Sequence, residues 1–386
     1  MDNREGILNR VDYSLLFILF LFFCTSCYTL YAAQLNHLVS GSYLKEQIIL
    51  YIISFPFFVI AMFIDLDVIE RLSKYIYLIC IVLMIGILIA PNSIAPELNG
   101  AKGWYRLGSL SFQPAEFMKI GLILVLSGIV TKSHNTQILE STKDELLLAA
   151  KMFLYVIPLI YFSKEFPDMG SLLVYLAIFF TILLVSKIRM KTILLICVPF
   201  AAILLFCVIA YFFFPDFFFN TLLAALPKYQ AERFYGWLDP SRYTNSEGYQ
   251  LQNALITIGS GQFGGTRIAS SLVPYAYSDF IFTIIGGVRG FIGASALIMI
   301  YFVLIYKILK IGLNHHDIYG RTLCAGIVGM IGYQVFQNIG MTVGLLPITG
   351  LSLPFISYGG SSLMINLFAL GLVSNIKMNT YKYMFS

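Results

Sequence analysis

Hydrophobic residues occur along this chain in ten long runs, and the polar residues between them gather into short, separate islands. The runs lie near residues 13–33, 47–64, 75–91, 115–131, 146–163, 169–186, 192–214, 279–306, 321–343 and 355–376. Most hold roughly 17 to 25 apolar residues, the length of a bilayer-crossing helix rather than of a barrel strand. Backbone groups cannot go unpaired in lipid, so runs of this length must close their hydrogen bonds internally. The pattern predicts an all-α polytopic membrane protein of about ten transmembrane helices, one membrane domain over residues 1–386. The first run, Tyr13–Ala33, is too long for a cleaved signal and lacks a small-residue cleavage pattern.

Composition agrees: 59% of the 386 residues are hydrophobic and only 12% charged, too few charges for a soluble domain of this size. The net charge of +5 is no sign of a nucleic-acid partner, because the basic residues are spread among short loops, where they set orientation. A cytoplasmic N-terminus puts Arg71, Lys74, Lys132, Lys143, Lys187, Arg189, Lys191, Lys307, Lys310, Arg321 and Lys377 inside. The short outer loops then keep only Lys45 and Lys164. Both termini are therefore expected inside. Two outer connections are longer: residues 92–114, and residues 215–278, a large extracellular loop between helices seven and eight. Within the latter, Glu247–Ile258 suits a helix lying on or dipping into the interface. All six cysteines fall inside apolar runs, which supports neither a disulfide framework nor a zinc site.

Under this orientation the islands WYRLG, QPAEFMK, FPDMG, SDFIF and PFISYGGSS all reach the outer side. Ionisable residues at a membrane edge are candidate functional groups, because hydrocarbon strongly disfavours them. Glu116 and Lys119 stand three apart on one helical face and can pair, either as a structural lock or as part of a site. Asp168 follows Pro167 at a helix mouth, where an acidic residue caps well. Ser278 is the expected N-cap of the eighth helix, making Asp279 its first residue, a carboxylate facing Phe280, Ile281 and Phe282. Ser357, Tyr358, Gly359, Gly360, Ser361 and Ser362 open the tenth run with polar and small residues, suited to close packing or to a ligand. Lys102, Arg106, Lys119, Arg233, Arg242 and Arg267 supply cations. The matching substrate carries a lipid tail, an anionic head such as a diphosphate, and a hydroxyl-bearing group such as a sugar.

These residues also resemble a known family. NGAKGWYRLGSLSFQPAEFMK is similar to the first long outer loop of the SEDS proteins (shape, elongation, division and sporulation). FPDMG resembles their QPDxG, SDFIF their TDFIF, and LLPITGLSLPFISYGGSSL their most distinctive stretch. WLDP with GYQLQNALITIGSGQFGG resembles their large outer loop. The resemblance implies a peptidoglycan glycosyltransferase that polymerises lipid II at the outer face of the bacterial cytoplasmic membrane, paired with a class B penicillin-binding transpeptidase. It implies Asp279 as the catalytic base, supported by Glu116, Lys119 and Asp168. Lys102, Trp104, Arg106, Arg233, Ser357, Tyr358, Gly359, Gly360 and Ser361 would line the path of lipid II and the lipid-linked glycan strand. Cations, with or without a divalent metal (Mg or Mn), would offset charge on the departing undecaprenyl diphosphate.

The chain departs from the pattern in two places. Where the family usually carries an acidic pair after DFIF, this chain has Gly287 and Val288, followed by Arg289. Tyr275 and Tyr277 replace the family's usual Glu and His. Two other readings therefore stand beside the polymerase: a lipid II flippase, and a catalytically impaired scaffold that activates a transpeptidase. Arg289, roughly 15 Å along the helix from Asp279, is expected to point into an internal hydrated cavity beneath it.

Overall fold

The computed structural model describes residues 12–35, 42–97, 102–107, 110–135, 141–241, 247–266, 273 and 276–384. Arg242, Arg267 and Tyr275 lie outside them. Helices α1 (Tyr13–Leu35), α2 (Tyr43–Phe63), α3 (Leu66–Ile89) and α4 (Pro114–Asn135) open the chain. Then come α5 (Thr142–Leu154), α6 (Ile157–Glu165), α7 (Met169–Val185) and α8 (Met190–Phe213). Short α9 (Pro215–Phe217), α10 (Lys228–Leu238) and α11 (Glu247–Ser260) lead into α12 (Ile281–Asn314), α13 (Ile318–Thr342) and α14 (Gly360–Met384). Among the described residues, eight helices are long and apolar enough to cross a membrane, counting α5 and α6 as one span. Helix α7 has the apolarity at 17 residues, and α13 is largely buried in the bundle.

The apolar runs thus form helix over most of their length, with the fifth divided between α5 and α6 and the tenth helical only from Gly360, and other differences have local causes. Helix α3 begins at Leu66 rather than near 75 because Asp65 caps it, accepting from the Asp67 amide at 2.9 Å. Residues 92–114 contain two short strands, β1 (Tyr105–Leu107) and β2 (Leu110–Phe112), paired antiparallel with Tyr105 opposite Phe112. Tyr105 then reaches into the bundle and donates to the Leu83 carbonyl at 2.8 Å. The large loop is also ordered by helices. Trp237 on α10 donates to the Gly344 carbonyl at 2.9 Å, docking that helix on the segment after α13.

The eighth run is broken. Gly290 has φ 60° and ψ −157°, so α12 is two helical pieces joined at a kink. Backbone groups freed by a break in hydrocarbon need new partners, and the turn after α11 supplies them. Phe291 and Ile292 donate to the carbonyls of Gln262 and Phe263 at 2.9 and 3.2 Å, and Thr266 donates to the Gly287 carbonyl at 3.1 Å. The approach needs glycine: a Cβ on Gly261 would stand 2.0 Å from the Gly286 carbonyl oxygen. Helix α11 therefore ends well below the mouth of α12.

Helices α4 and α13 form the centre, with α7 and α14 packed beside them, while α8 stays on the periphery with few buried residues. The two ends of the bundle differ in chemistry. At the far end, buried Glu145 takes a hydrogen bond from Arg189 Nε at 2.7 Å and another from the Thr192 hydroxyl. His134 meets the Ser186 carbonyl there, and Lys307 pairs with Asp12 at 2.7 Å. The islands singled out in the sequence meet at the other end, here termed the site end.

Burial alone would raise the Asp12 carboxyl, but hydrogen bonds from Lys307 and Ser14, the Lys307 charge and the Leu15 amide hold it below its ordinary value. A lowered carboxylate stabilises the fold above its unfolded pKa and loses that contribution as pH falls through the folded value. Asp12→Asn should thus lower stability by about 1 kcal/mol at neutral pH. The gap should close as the pH drops below about 4, read from thermal unfolding in detergent over a pH series.

Candidate active site

Asp279 sits in a turn, not in a helix. The N-cap of α12 is Phe280, without a side-chain cap bond, and Ser278 turns its hydroxyl onto Asp279 Oδ1 at 2.8 Å instead of onto a helix amide. The expectation of a Ser278 cap with Asp279 as first helical residue is therefore wrong. The turn gains its rigidity from three consecutive carbonyls, each with a partner from later in the chain. The Tyr277 carbonyl accepts from the Tyr358 amide at 2.9 Å. The Ser278 carbonyl accepts from the Ser357 hydroxyl at 2.7 Å, and that of Asp279 accepts from Asn338 Nδ2 at 2.7 Å. Asn338, buried on α13, also donates to the Leu351 carbonyl at 2.7 Å. This residue carried no signal in the sequence beyond being an amide within an apolar run.

The clamp is itself held. Residues 351–359 are irregular, and their interior carbonyls are taken up by side chains of other helices. Ser26 donates to Ile356 at 2.8 Å, Gln47 to Ser357 at 3.3 Å, Tyr51 to Phe355 at 2.5 Å and Tyr301 to Pro354. Phe355 adopts a left-handed backbone (φ 66°), a conformation unusual for a bulky residue, and stacks on Phe22. Ser357 is buried and also accepts from the Leu353 amide at 2.8 Å, so it is a structural member of the clamp rather than part of a ligand-facing wall.

Arg233 on α10 reaches this turn. It donates to the Thr349 carbonyl at 2.6 Å, and Gly350 beside it has φ 75°. A Cβ on Gly350 would lie 3.1 and 3.3 Å from the two terminal guanidinium nitrogens and 3.3 Å from Asp279 Oδ2. Carboxylate and guanidinium therefore share the small space around one glycine. Asp168 caps α7, accepting from the Ser171 amide at 2.9 Å and its hydroxyl at 2.7 Å. Its helix start abuts the same segment: a Cβ on Gly170 would stand 3.1 Å from the Thr349 carbonyl oxygen.

Glu116 and Lys119 form a buried ion pair at 2.5 Å, with side chains 7% and 0% exposed. Glu116 Oε2 is buried without a hydrogen-bond partner, and Tyr175 on α7 secures the Ala115 carbonyl beside it at 2.9 Å. Other candidates serve the frame. Lys102 donates to the Ala90 carbonyl at the end of α3 at 2.5 Å. Ser361 accepts from the Gln113 amide at 3.1 Å, tying the hairpin to α14. Trp104 is half-buried and Arg106 exposed on that hairpin, while Gly359 and Gly360 are half-buried at the start of α14. Tyr358 closes one wall with Tyr43 and Tyr277, whose rings stack 4.1 Å apart, and donates to Glu46 at 2.5 Å. Burial and the Glu46 carboxylate raise the Tyr358 phenol well above its ordinary value, so it stays protonated as a donor.

Arg289 contradicts the expectation placed on it. It is exposed on the α1 flank of α12, with its guanidinium 4.5 Å from the Tyr28 ring centroid, and does not point into a cavity beneath Asp279. The turn 261–266 occupies the space against residues 286–290, and Arg289 lies against Tyr28 of α1.

Removing Lys119 leaves a buried, uncompensated carboxylate. Lys119→Met should destabilise by about 3–5 kcal/mol, while Lys119→Met with Glu116→Gln should recover much of the loss. A double-mutant cycle on thermal unfolding measures the difference.

A family model described as cell cycle protein, covering FtsW, RodA and SpoVE, matches residues 8–382. The probable peptidoglycan glycosyltransferase FtsW of Coxiella burnetii is 32% identical over 80% of this chain and 79% of its own. Stage V sporulation protein E of Bacillus subtilis is 30% identical over 79% and 78%. Among solved structures, a chain of a peptidoglycan synthase complex that coordinates polymerization and crosslinking superposes with a TM-score of 0.77 at 27% identity. That match covers 96% of this chain and 99% of the other. The rod shape determining protein RodA of Thermus thermophilus shares the fold with a TM-score of 0.68 at 23% identity, over 98% and 99% of the two chains. The chain belongs to the SEDS family of FtsW, RodA and SpoVE.

Proposed function

We propose that this protein is a peptidoglycan glycosyltransferase that polymerises lipid II, with Asp279 as general base. The observation that carries the reading is the turn itself: a carboxylate on a backbone fixed at three successive carbonyls, beside the guanidinium of Arg233. A base must be held within reach of the proton that it takes. Asp279 removes the proton from the C4 hydroxyl of the acceptor GlcNAc. That oxygen attacks the anomeric carbon of the donor with inversion, and undecaprenyl diphosphate departs. Arg233 offsets the charge developing on the diphosphate. Tyr358 and Tyr277 offer an aromatic wall to a sugar face, and Glu116, Lys119 and Asp168 hold the α4 and α7 mouths around the turn.

The excess of Lys and Arg at the far end supports both termini in the cytoplasm, ten crossings, and a catalytic face with the 215–278 loop outside. The likeness to a chain of a synthase complex supports pairing with a class B penicillin-binding transpeptidase. A divalent cation is a weaker fit: no group of three or more His, Cys, Asp or Glu among the described residues could hold one. We derive no step through it.

Beside Arg289, the break in α12 favours a flippase, since broken helices are common in transporters. Here the turn 261–266 takes up the freed backbone groups, which seals the break rather than opening a path. The same contact bears on the scaffold reading. Gly287 and Val288, where an acidic pair is missing, meet that turn, roughly 12 Å along the helix from Asp279. Their change alters the lock and leaves the base in place.

Purified protein, alone and with a transpeptidase partner, should convert labelled lipid II to polymer. Asp279→Asn should lower the rate by roughly 10² to 10⁴ with unchanged thermal unfolding. Undiminished polymer from the variant would falsify the assignment, and protein-dependent lipid II scrambling without polymer would favour the flippase.

A further inference from the structure

A groove of about 200 Å³ lies between α1 and α12, its lining including Thr25, Tyr28, Thr29, Arg289, Ala296 and Ile300. It is on the α1 flank of α12, whereas Asp279 is tied to α13. Apart from Arg289 and three hydroxyl side chains, the lining is apolar. The Thr25 and Thr29 hydroxyls donate to carbonyls of their own helix, at 2.8 and 2.7 Å, so they offer no free proton to a ligand. Arg289 is the cation of the groove. Its guanidinium carbon stands 4.5 Å from the Tyr28 ring centroid, and the cation carries five N–H donors for an acceptor. A Cβ on Gly293 would stand 2.2 Å from Arg289 Cβ, so glycine makes room for the side chain to lie against α12.

Depth makes this arrangement informative. Tyr28 is seven residues before the end of α1 at Leu35, about 10 Å below it, in the outer third of a hydrocarbon core about 30 Å thick. An exposed guanidinium at that level needs an anion or water. Among the described residues no carboxylate pairs with it. Exposed Phe291, Ile292 and Met299 beside it on α12 suit acyl chains.

We propose that this groove binds the phosphodiester of an anionic glycerophospholipid from the leaflet at the site end, clamped by Arg289 with one chain laid along α1 and α12. One guanidinium matches the single negative charge of a phosphodiester, whereas a polyprenyl diphosphate carries more charge than one cation offsets. Lateral diffusion brings such lipids to the groove, and snorkelling of Arg289 with local thinning of the bilayer closes the gap in depth. Guanidinium–phosphate pairing is also bidentate and strong where water is scarce.

The test is lipid retention by native mass spectrometry of the detergent-solubilised full chain. Phosphatidylglycerol, phosphatidylcholine and undecaprenyl diphosphate are offered in separate arms. The wild type should retain phosphatidylglycerol at least tenfold better than Arg289→Leu, with Arg289→Lys between them and phosphatidylcholine weaker throughout. Ala296→Phe, which fills the groove and leaves Arg289 in place, should lose retention equally, and it decides the matter if Arg289→Leu fails to fold. Equal phosphatidylglycerol retention by the wild type and a folded variant would overturn the proposal. So would Arg289-dependent preference for undecaprenyl diphosphate.

Discussion

Irregular backbone buried among membrane helices is tolerable only when other parts of the chain take up its polar groups, and this constraint organises the site end. Residues 351–359 leave helical geometry in the interior. Their carbonyls are met by Ser26, Gln47, Tyr51 and Tyr301, which come from three different helices. Each unmet carbonyl would cost about 1–3 kcal/mol, so the segment has few alternative positions. Its own amide and hydroxyl at Tyr358 and Ser357 then fix the turn that carries Asp279. Part of the rigidity of the carboxylate is thus borrowed from α1 and α2, through the segment that they hold.

The same rule accounts for the second irregularity. The kink at Gly290 frees backbone groups in the middle of α12, and the turn after α11 approaches closely enough to satisfy them because Gly261 and Gly265 lack side chains. The large loop is therefore joined to the bundle twice, through this turn and through Trp237 and Arg233 on α10. Movement of the loop would be felt at Thr349 and Gly350, next to Asp279.

Much of the fold was legible, because apolar run length is decided by the bilayer and not by tertiary detail. The gathering of the islands at one end was legible for the same reason: alternating helices return each island to the same side. Asp168 was read as a cap and is one. The failures are all about direction. The sequence offers Ser278 as the acceptor of a helix amide, but its hydroxyl donates to Asp279, because the clamp on the carbonyls holds residues 277–279 in a turn ahead of the helix. The cost of a charge in lipid points Arg289 inward, but its guanidinium lies exposed against the Tyr28 ring of α1. Lys102 and Ser361 belong to the frame because a helix end and a hairpin needed them. Asn338 and Gly350 escaped notice, for their roles lie in contacts between segments far apart in sequence.

Hydrogen–deuterium exchange tests the clamp most directly, since the amides of Leu353, Ile356, Ser357 and Tyr358 are all engaged although none lies in a helix or strand. A segment that holds the Asp279 turn in this way should exchange as slowly as the core of α13, and Asn338→Ala should selectively raise exchange across residues 276–280. Exchange of residues 353–358 on the timescale of an exposed loop would contradict the account.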